Sequence, residues 1–296
     1  MTTITLSSRN DFSKVFRLIN TGVSSNEEFI YDLSKFIFFE PIDILLFTMT
    51  VIYFQKRNIT QKYYPPSNKR VQSYLQDIGL LEFCKTNYSQ PATIEVIQSR
   101  SAMPLRRITI STMNQYIELA KGYFSKLCTN KDLDFLNITI SELINNVHDH
   151  SQSEIDAYVF CQFYPRLNII KVVVGDLGIG IPVSVNNFLH SGKQPLLNDK
   201  DAIKWAIDKN TSTKSQPHNK GKGFDNLIEF IKSNRSIMYI YSNSAVFMVS
   251  KGEGRQYFFD NDVTNFKGTA VQMEIYVDNL PDNDNLITDF WEQLPF

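Results

Sequence analysis

Three polar residues spaced four apart mark the segment ITISELINNVHDHSQSE as a candidate site. They are Glu142, Asn146 and His150. Steps of four residues advance by about 40° around an α-helix, so the three side chains would share one helical face. A carboxylate can act as a general base, and an amide oxygen is a ligand for a hard cation. The same spacing also fits a solvated helix face, so this segment alone leaves both interpretations open.

A second segment, VVVGDLGIGIP, combines a buried strand with an acid and alternating glycines. Asp176 ends the apolar run, and Gly178 and Gly180 follow it. A carboxylate at the end of a buried strand is costly unless it is hydrogen-bonded, and the exocyclic amine of adenine could supply that bond. The alternative is a glycine-rich hairpin. The spacing matches neither the dinucleotide-binding fingerprint nor the P-loop.

A third segment, TSTKSQPHNKGKGFDNL, has the composition of a phosphate-binding loop. Gly221 and Gly223 come directly before a predicted helix, where free backbone N–H groups and the helix dipole favour phosphate oxygens. The polar run before them predicts a mobile lid, although a plain flexible loop would look the same. Three lysines add positive charge: Lys214, Lys220 and Lys222.

The fourth segment, FKGTAVQMEI, places Gly268 and Thr269 at the start of a predicted strand. Together and in this order, the four segments resemble the nucleotide site of the GHKL ATPase superfamily, which includes gyrase, Hsp90, histidine kinases and MutL. The resemblance covers about residues 105–277. It implies ATP and Mg²⁺ as ligands of this chain.

The resemblance also implies a role for each matching residue. ELINNVHDH resembles the N box, in which Glu142 would be the general base, Asn146 the magnesium ligand and His150 a supporting residue near the phosphates. The GT pair resembles the final box, in which Thr269 would help to hold Asp176 and the adenine.

The G1 box, the ATP lid and the G2 box supply the remaining implied nucleotide contacts. DLGIGIP resembles the G1 box, with Asp176 on the adenine amino group, and STKS followed by GKGFDNL resembles the lid and the G2 box. The other implied contacts are Gly178, Gly180 and Ile181 in the pocket, and Thr213, Lys214, Lys220, Gly221, Lys222, Gly223 and Phe224 around the phosphates.

The N-terminal part alternates predicted strands and helices and resembles a STAS-like domain. It carries FFEPID where STAS-like antagonists carry their phosphorylated serine, so a docking or pseudo-substrate role is expected instead. The predicted fold class is α/β, a small STAS-like domain followed by a GHKL (Bergerat) two-layer α/β sandwich with a mixed or antiparallel sheet. The predicted divisions are 1–90 for the STAS-like domain, 91–107 for a linker, 108–278 for the ATP-binding domain and 279–296 for an acidic, aromatic tail.

Composition narrows the classes of partner and compartment. The 296 residues are 43% hydrophobic and carry a formal net charge of −1, which gives no general footprint for nucleic acid or an anionic membrane. Three widely spaced cysteines form neither a disulfide framework nor a zinc pattern. The apolar stretch 36–54 contains Glu40, Pro41 and Asp43, which favours a strand followed by a buried amphipathic helix over a membrane span. A cytoplasmic protein is expected.

Within the superfamily, ELINNVHDHSQS is most similar to the anti-sigma-factor serine kinases. This similarity implies magnesium-dependent transfer of the ATP γ-phosphate to a Ser or Thr of a STAS-like partner, or to water. The alternative is a nucleotide-gated interaction switch with little kinase activity. A protein partner, STAS-like or regulatory, is expected in both cases, and the resemblance leaves room for a homodimer.

Overall fold

The computed structural model describes residues 2–5, 11–22, 28–84, 101–208, 222–260 and 266–283. Its helices are α1 (Phe12–Thr21), α2 (Pro41–Gln55), α3 (Lys69–Asp77), α4 (Leu80–Phe83), α5 (Ile110–Phe124), α6 (Phe135–His150), α7 (Gly180–Ser191), α8 (Asp199–Ala206) and α9 (Lys222–Ser233). Its strands are β1 (Thr2–Thr5), β2 (Glu28–Asp32), β3 (Thr60–Tyr64), β4 (Arg106–Ile108), β5 (Ala157–Tyr164), β6 (Ile169–Asp176), β7 (Ile237–Asn243), β8 (Ala245–Val249), β9 (Gln256–Asp260) and β10 (Phe266–Tyr276).

The N-terminal part contains a small parallel sheet. Strands β1, β2 and β3 lie side by side in that order, and both pairs are parallel. Parallel neighbours need a long crossover, and α1 and α2 provide the two crossovers here. The STAS-like identity of this part stays a prediction.

Helix α2 is buried around its whole circumference and is not amphipathic as the sequence predicted. Thirteen of its fifteen residues are buried. Pro41 begins the helix, and Glu40 and Asp43 form a reciprocal capping box, so the helix has a well-defined start. A helix that is apolar on every side needs neighbours on every side. No helix in the described part of the chain is long and apolar enough to cross a membrane.

The larger sheet has seven strands in the order β4-β5-β6-β10-β7-β8-β9, and every neighbouring pair is antiparallel. Helices α5, α6 and α9 pack on one face and share its hydrophobic core. The predicted α/β class, with an antiparallel sheet covered by helices, is confirmed. Residues 102 and 106–108 pair with β5, so the chain joins this sheet before α5 begins.

The second face of the large sheet is covered by α1 and α2. Gly175 of β6 leaves room for α2, because a Cβ atom there would lie 3.0 Å from Leu45 Cδ2 and 3.2 Å from Met49 Cε. The rings of Phe16 and Phe266 meet edge to face with centroids 4.9 Å apart. Helix α2 therefore lies between the small parallel sheet and the large one, and its residues join both in one hydrophobic cluster.

Truncating Leu45 is expected to destabilise the whole protein. Leu45 is fully buried in α2, and Leu→Ala changes in packed cores lower the free energy of unfolding by about 2–5 kcal/mol. Leu167→Ala is the matched control, because that side chain is 61% exposed. Urea denaturation measures both variants. Similar small losses in the two variants would contradict the assignment of α2 as a shared core layer.

Candidate functional site

Helix α6 carries the predicted polar stripe. It spans Phe135–His150 and packs Ile140 and Leu143 into the core. Glu142, Asn146 and His150 are each partly exposed on the neighbouring face. The stripe is therefore neither core nor fully solvated, which fits the edge of a pocket.

Asn146 has an unsatisfied side-chain amide. Its Nδ2 atom is buried and makes no hydrogen bond to the described residues. A buried polar atom without a partner is costly, so such an atom marks a place that a ligand can satisfy. Thr139, which the sequence interpretation did not single out, lies three residues before Glu142 and has a buried Oγ1 with the same deficiency among the described residues. Its position in an apolar stretch of the helix gave no signal.

Three polar side chains form a row across the middle of the large sheet. Thr269 of β10 pairs with Asp176 of β6 on one side and with Ser242 of β7 on the other. The three lie on the face of the sheet that α5, α6 and α9 cover. Val174 and Ile240, two residues before Asp176 and Ser242, belong to the core on that face. We call Asp176, Thr269 and Ser242 the cross-strand row. The row brings Asp176 and Thr269 together, and the roles in adenine binding that the resemblance implies for them stay predictions.

The Asp176 carboxyl is buried at the end of β6. It accepts a hydrogen bond of 2.6 Å from the backbone N–H of Gly178, and the N–H of Thr269 also donates to it. Burial raises the pKa of the Asp176 carboxyl to about 7, although these two N–H groups act in the opposite direction. The described residues supply Asp176 with no cation, so a donor from a ligand would relieve the cost of its burial.

The glycine turn, residues 177–181, joins the row to the end of α6. The N–H of Ile179 donates to the carbonyl oxygen of Ser151, the residue after α6, at 2.7 Å. A Cβ atom on Gly178 would overlap that same oxygen. The N box-like helix and the G1-like turn, 25 or more residues apart in sequence, are thus held in direct contact.

The other end of the glycine turn rests on β7 and β10. Gly180 has φ +77°, and a Cβ atom there would lie 2.5 Å from Asn243 Oδ1 and 2.9 Å from Ser242 Oγ. The N–H of Ile181 donates to Ser242 Oγ at 2.9 Å. Gly268 has φ +117°, and a Cβ atom there would overlap the backbone of Asp176. Gly178 and Gly180 therefore permit close approach of neighbouring protein segments.

The Gly178→Ala substitution is expected to destabilise the protein by about 3 kcal/mol or more, because the added methyl group overlaps a backbone carbonyl that cannot move without displacing α6. Gly122→Ala is the matched control. Gly122 lies in α5 with nothing within 4 Å of an added Cβ, so alanine should stabilise by about 0.5–1 kcal/mol. Thermal denaturation of both variants checks this prediction, and a stable Gly178→Ala protein would contradict the described turn.

A cleft of about 520 Å³ opens between α6 and α9. Glu142 lies nine residues before Ser151, which corresponds to about 13 Å along the helix axis. The cleft is lined by Asn137, Ile138, Ser141 and Glu142 of α6 and by Asn226 and Glu229 of α9.

Some predicted contacts cannot be placed. Thr213, Lys214, Lys220 and Gly221 lie outside the described residues. Helix α9 begins at Lys222, two residues earlier than the sequence suggested, so that Gly223 and Phe224 belong to its first turn. Phe224 packs against the main hydrophobic core.

Asn146 is the magnesium ligand that the resemblance implies. The described residues contain no group of three or more His, Cys, Asp or Glu side chains that could hold a metal ion. Magnesium bound with a nucleotide needs few protein ligands, since phosphate oxygens and water complete its shell. The unpartnered atom of Asn146 is Nδ2, a donor that suits a phosphate oxygen, so magnesium at its Oδ1 stays a prediction.

Comparisons with known proteins give little independent information. No protein-family model matches the chain, and no curated protein matches it. Among solved structures, the chain is similar to the topoisomerase IV ATP-binding domain of Francisella tularensis in complex with a small-molecule inhibitor, with 16% sequence identity and a TM-score of 0.29. The match covers 66% of this chain and 48% of that one, so the chain spans about half of its length. A superposition this loose carries no weight for function.

Proposed function

We propose that the protein binds ATP in the manner of the GHKL superfamily, with the adenine at the cross-strand row. The observation that carries this proposal is the buried Asp176 carboxyl, which neighbours Thr269 in register and receives only backbone N–H groups from the described residues. The 6-amino group of adenine is a donor of the right kind for such an acceptor. The glycine turn beside it lets a planar base approach the backbone.

The triphosphate would extend from the row along α6 towards Glu142. Ser151 contacts the glycine turn and Glu142 lines the cleft about 13 Å away along the helix axis, so α6 runs from the row end of the site to the cleft. The N-terminal N–H groups of α9 would receive phosphate oxygens, as helix N-termini commonly do. Asn146 lies between the two ends of the stripe and would contribute its amide oxygen to a magnesium ion, which neutralises phosphate charge when bound.

Glu142 would act as the general base. It lines an open cleft, so a water molecule or a Ser or Thr hydroxyl from a partner could approach it. The carboxylate would accept a proton from that water or hydroxyl. The oxygen of the water or hydroxyl would then form a bond to the γ-phosphorus, while the bond between the γ-phosphorus and the β-phosphate oxygen breaks. His150, at the last residue of α6, would support the phosphates from the same face. The products would be ADP and either phosphate or a phosphorylated partner.

Calorimetric titration of the full chain with ATP in the presence of Mg²⁺ tests the proposal. We expect saturable binding with one nucleotide per chain. Radiolabelled γ-phosphate then separates the reactions, since label on a STAS-like protein indicates a kinase and free phosphate alone indicates hydrolysis. Binding without either product would favour the nucleotide-gated switch. Failure of both ATP and ADP to bind would contradict the proposed function.

A further inference from the structure

Ser242 is the member of the cross-strand row that the sequence interpretation missed. It follows Met238 and Ile240 on the core-facing side of β7, and it is fully buried. A polar residue at the end of an alternating apolar stripe was the signal that could have revealed it. Its side chain hydrogen-bonds both to the glycine turn and to residues 268 and 269 of β10.

The hydrogen bonds of Ser242 use the full capacity of its hydroxyl. A serine hydroxyl donates once and accepts twice. Ser242 Oγ lies 2.8 Å from the carbonyl oxygen of Gly268, which can only accept, so its proton is committed there. The N–H of Ile181 donates to Ser242 Oγ at 2.9 Å. The remaining contact, 3.1 Å from Thr269 Oγ1, must therefore have Thr269 as its donor.

This arrangement fixes the polarity of Thr269. Because the Thr269 hydroxyl proton points at Ser242, only its acceptor lone pairs remain for a ligand. Asp176, the register neighbour of Thr269, is likewise an acceptor when it is ionised. Two neighbouring acceptors suit an amino group, which donates two hydrogens, and they oppose an oxo group at the same position.

We infer that Ser242 is a specificity-determining positioning residue, which makes Thr269 accept-only and, beside an ionised Asp176, selects a 6-amino purine over a 6-oxo purine. This inference rests on the proposed function, because it concerns the base of the bound nucleotide. Without the Ser242 hydroxyl, Thr269 is free to turn its proton towards the pocket and donate to an oxo group. An oxo purine then gains a partner, and the discrimination between the two bases decreases.

Ser242 also supports the glycine turn, so its loss will lower stability whether or not it controls specificity. The informative quantity is therefore the ratio of two affinities measured on one variant. Ser236→Ala is a matched control, because Ser236 is a fully buried serine just before β7 that accepts a backbone hydrogen bond from Tyr276 at 3.1 Å. Its position at the opposite end of the strand keeps it away from the row.

The experiment compares ATP with inosine triphosphate, which carries an oxo group in place of the 6-amino group, by calorimetry on the full chain. The Ser242→Ala change is expected to reduce the ratio of ATP affinity to inosine triphosphate affinity about tenfold, the effect of losing one well-placed hydrogen bond. Ser242→Thr, which keeps the hydroxyl, should restore the ratio to within about threefold of wild type. Ser236→Ala should lower the melting temperature and leave the ratio unchanged.

The outcomes separate the inference from the function on which it rests. A wild-type protein that prefers ATP, with the same ratio in Ser242→Ala, would overturn the role of Ser242 and leave ATP binding intact. An equal change of the ratio in Ser236→Ala would reduce the effect to general destabilisation and overturn the inference too. A wild-type protein that binds neither nucleotide would overturn the proposed function itself.

Discussion

The Asp176→Asn variant is expected to bind ATP about 100-fold more weakly than the wild-type protein while remaining folded. Asparagine has nearly the same shape as aspartic acid, but it replaces one acceptor oxygen with an NH₂ donor that opposes the adenine amino group. Hydrogen bonds to charged groups contribute about 1.5–3 kcal/mol, which corresponds to this loss. Calorimetric titration measures the affinity.

Asp199→Asn is the control for the Asp176 variant. Asp199 is a partly buried acid in α8 that accepts hydrogen bonds from the backbone N–H of Ser244, at 3.0 Å, and from its hydroxyl, at 2.6 Å. It lies outside the cross-strand row, so its change should leave the affinity for ATP unaltered. Equal losses of affinity in the two variants would show that Asp176 has no special contact with the base.

The Asp176→Asn substitution should also change how the free energy of unfolding depends on pH. The folded pKa of Asp176 is raised from 3.8 to about 7, so the native state holds a proton that the unfolded chain has released between these values. The stability that the bound proton contributes is complete below pH 4 and is lost as the pH rises through 7. This contribution amounts to roughly 4 kcal/mol. Denaturation at pH 5 and pH 8 should show about two thirds of this loss in the wild-type protein without nucleotide and a smaller loss in Asp176→Asn.

Replacing Glu142 should separate catalysis from binding. We expect Glu142→Gln and Glu142→Ala to lower the rate of ATP turnover by about 10²–10⁴-fold, because a general base typically contributes that much. The affinity for ATP should change by less than about threefold, since Glu142 lines the cleft beyond the base-binding end. Release of labelled phosphate under saturating ATP measures the rate.

Glu118→Gln provides the matched control for Glu142. Glu118 is an exposed carboxylate on α5, so its loss should leave turnover unchanged. Full turnover in Glu142→Gln would show that another group accepts the proton. Equal losses of turnover in both glutamate variants would point to a general effect of charge instead of a base.

The parts of the site that the sequence predicted are those encoded locally. The stripe from Glu142 to His150 follows from the period of a single helix, and α6 contains all three of its residues. The glycines after Asp176 signal close backbone approach in any fold, and Gly178 and Gly180 are indeed pressed against Ser151 and β7. Such features can be predicted from the local sequence, without the positions of residues that are distant in the chain.

The parts that the sequence did not predict depend on distant pairing. Ser242 joins the row only because β10 lies between β6 and β7, a strand order that no local pattern specifies. The all-round apolarity of α2 predicts burial, but it does not say that a second sheet is the partner. Lys171, buried on β6 with ion pairs to Glu40 at 2.8 Å and Glu274 at 3.0 Å, likewise reveals its role only when the N-terminal part is packed in place.

A crystal structure of the full chain with Mg²⁺ and a non-hydrolysable ATP analogue tests the central claim most directly. The account predicts the 6-amino group of adenine within about 3 Å of the Asp176 carboxylate, the usual distance for such a hydrogen bond. It also predicts the Thr269 hydroxyl beside the base, with the triphosphate running along α6 to Glu142. A base bound elsewhere, or an Asp176 carboxyl that stays without a ligand at saturating nucleotide, would contradict the account.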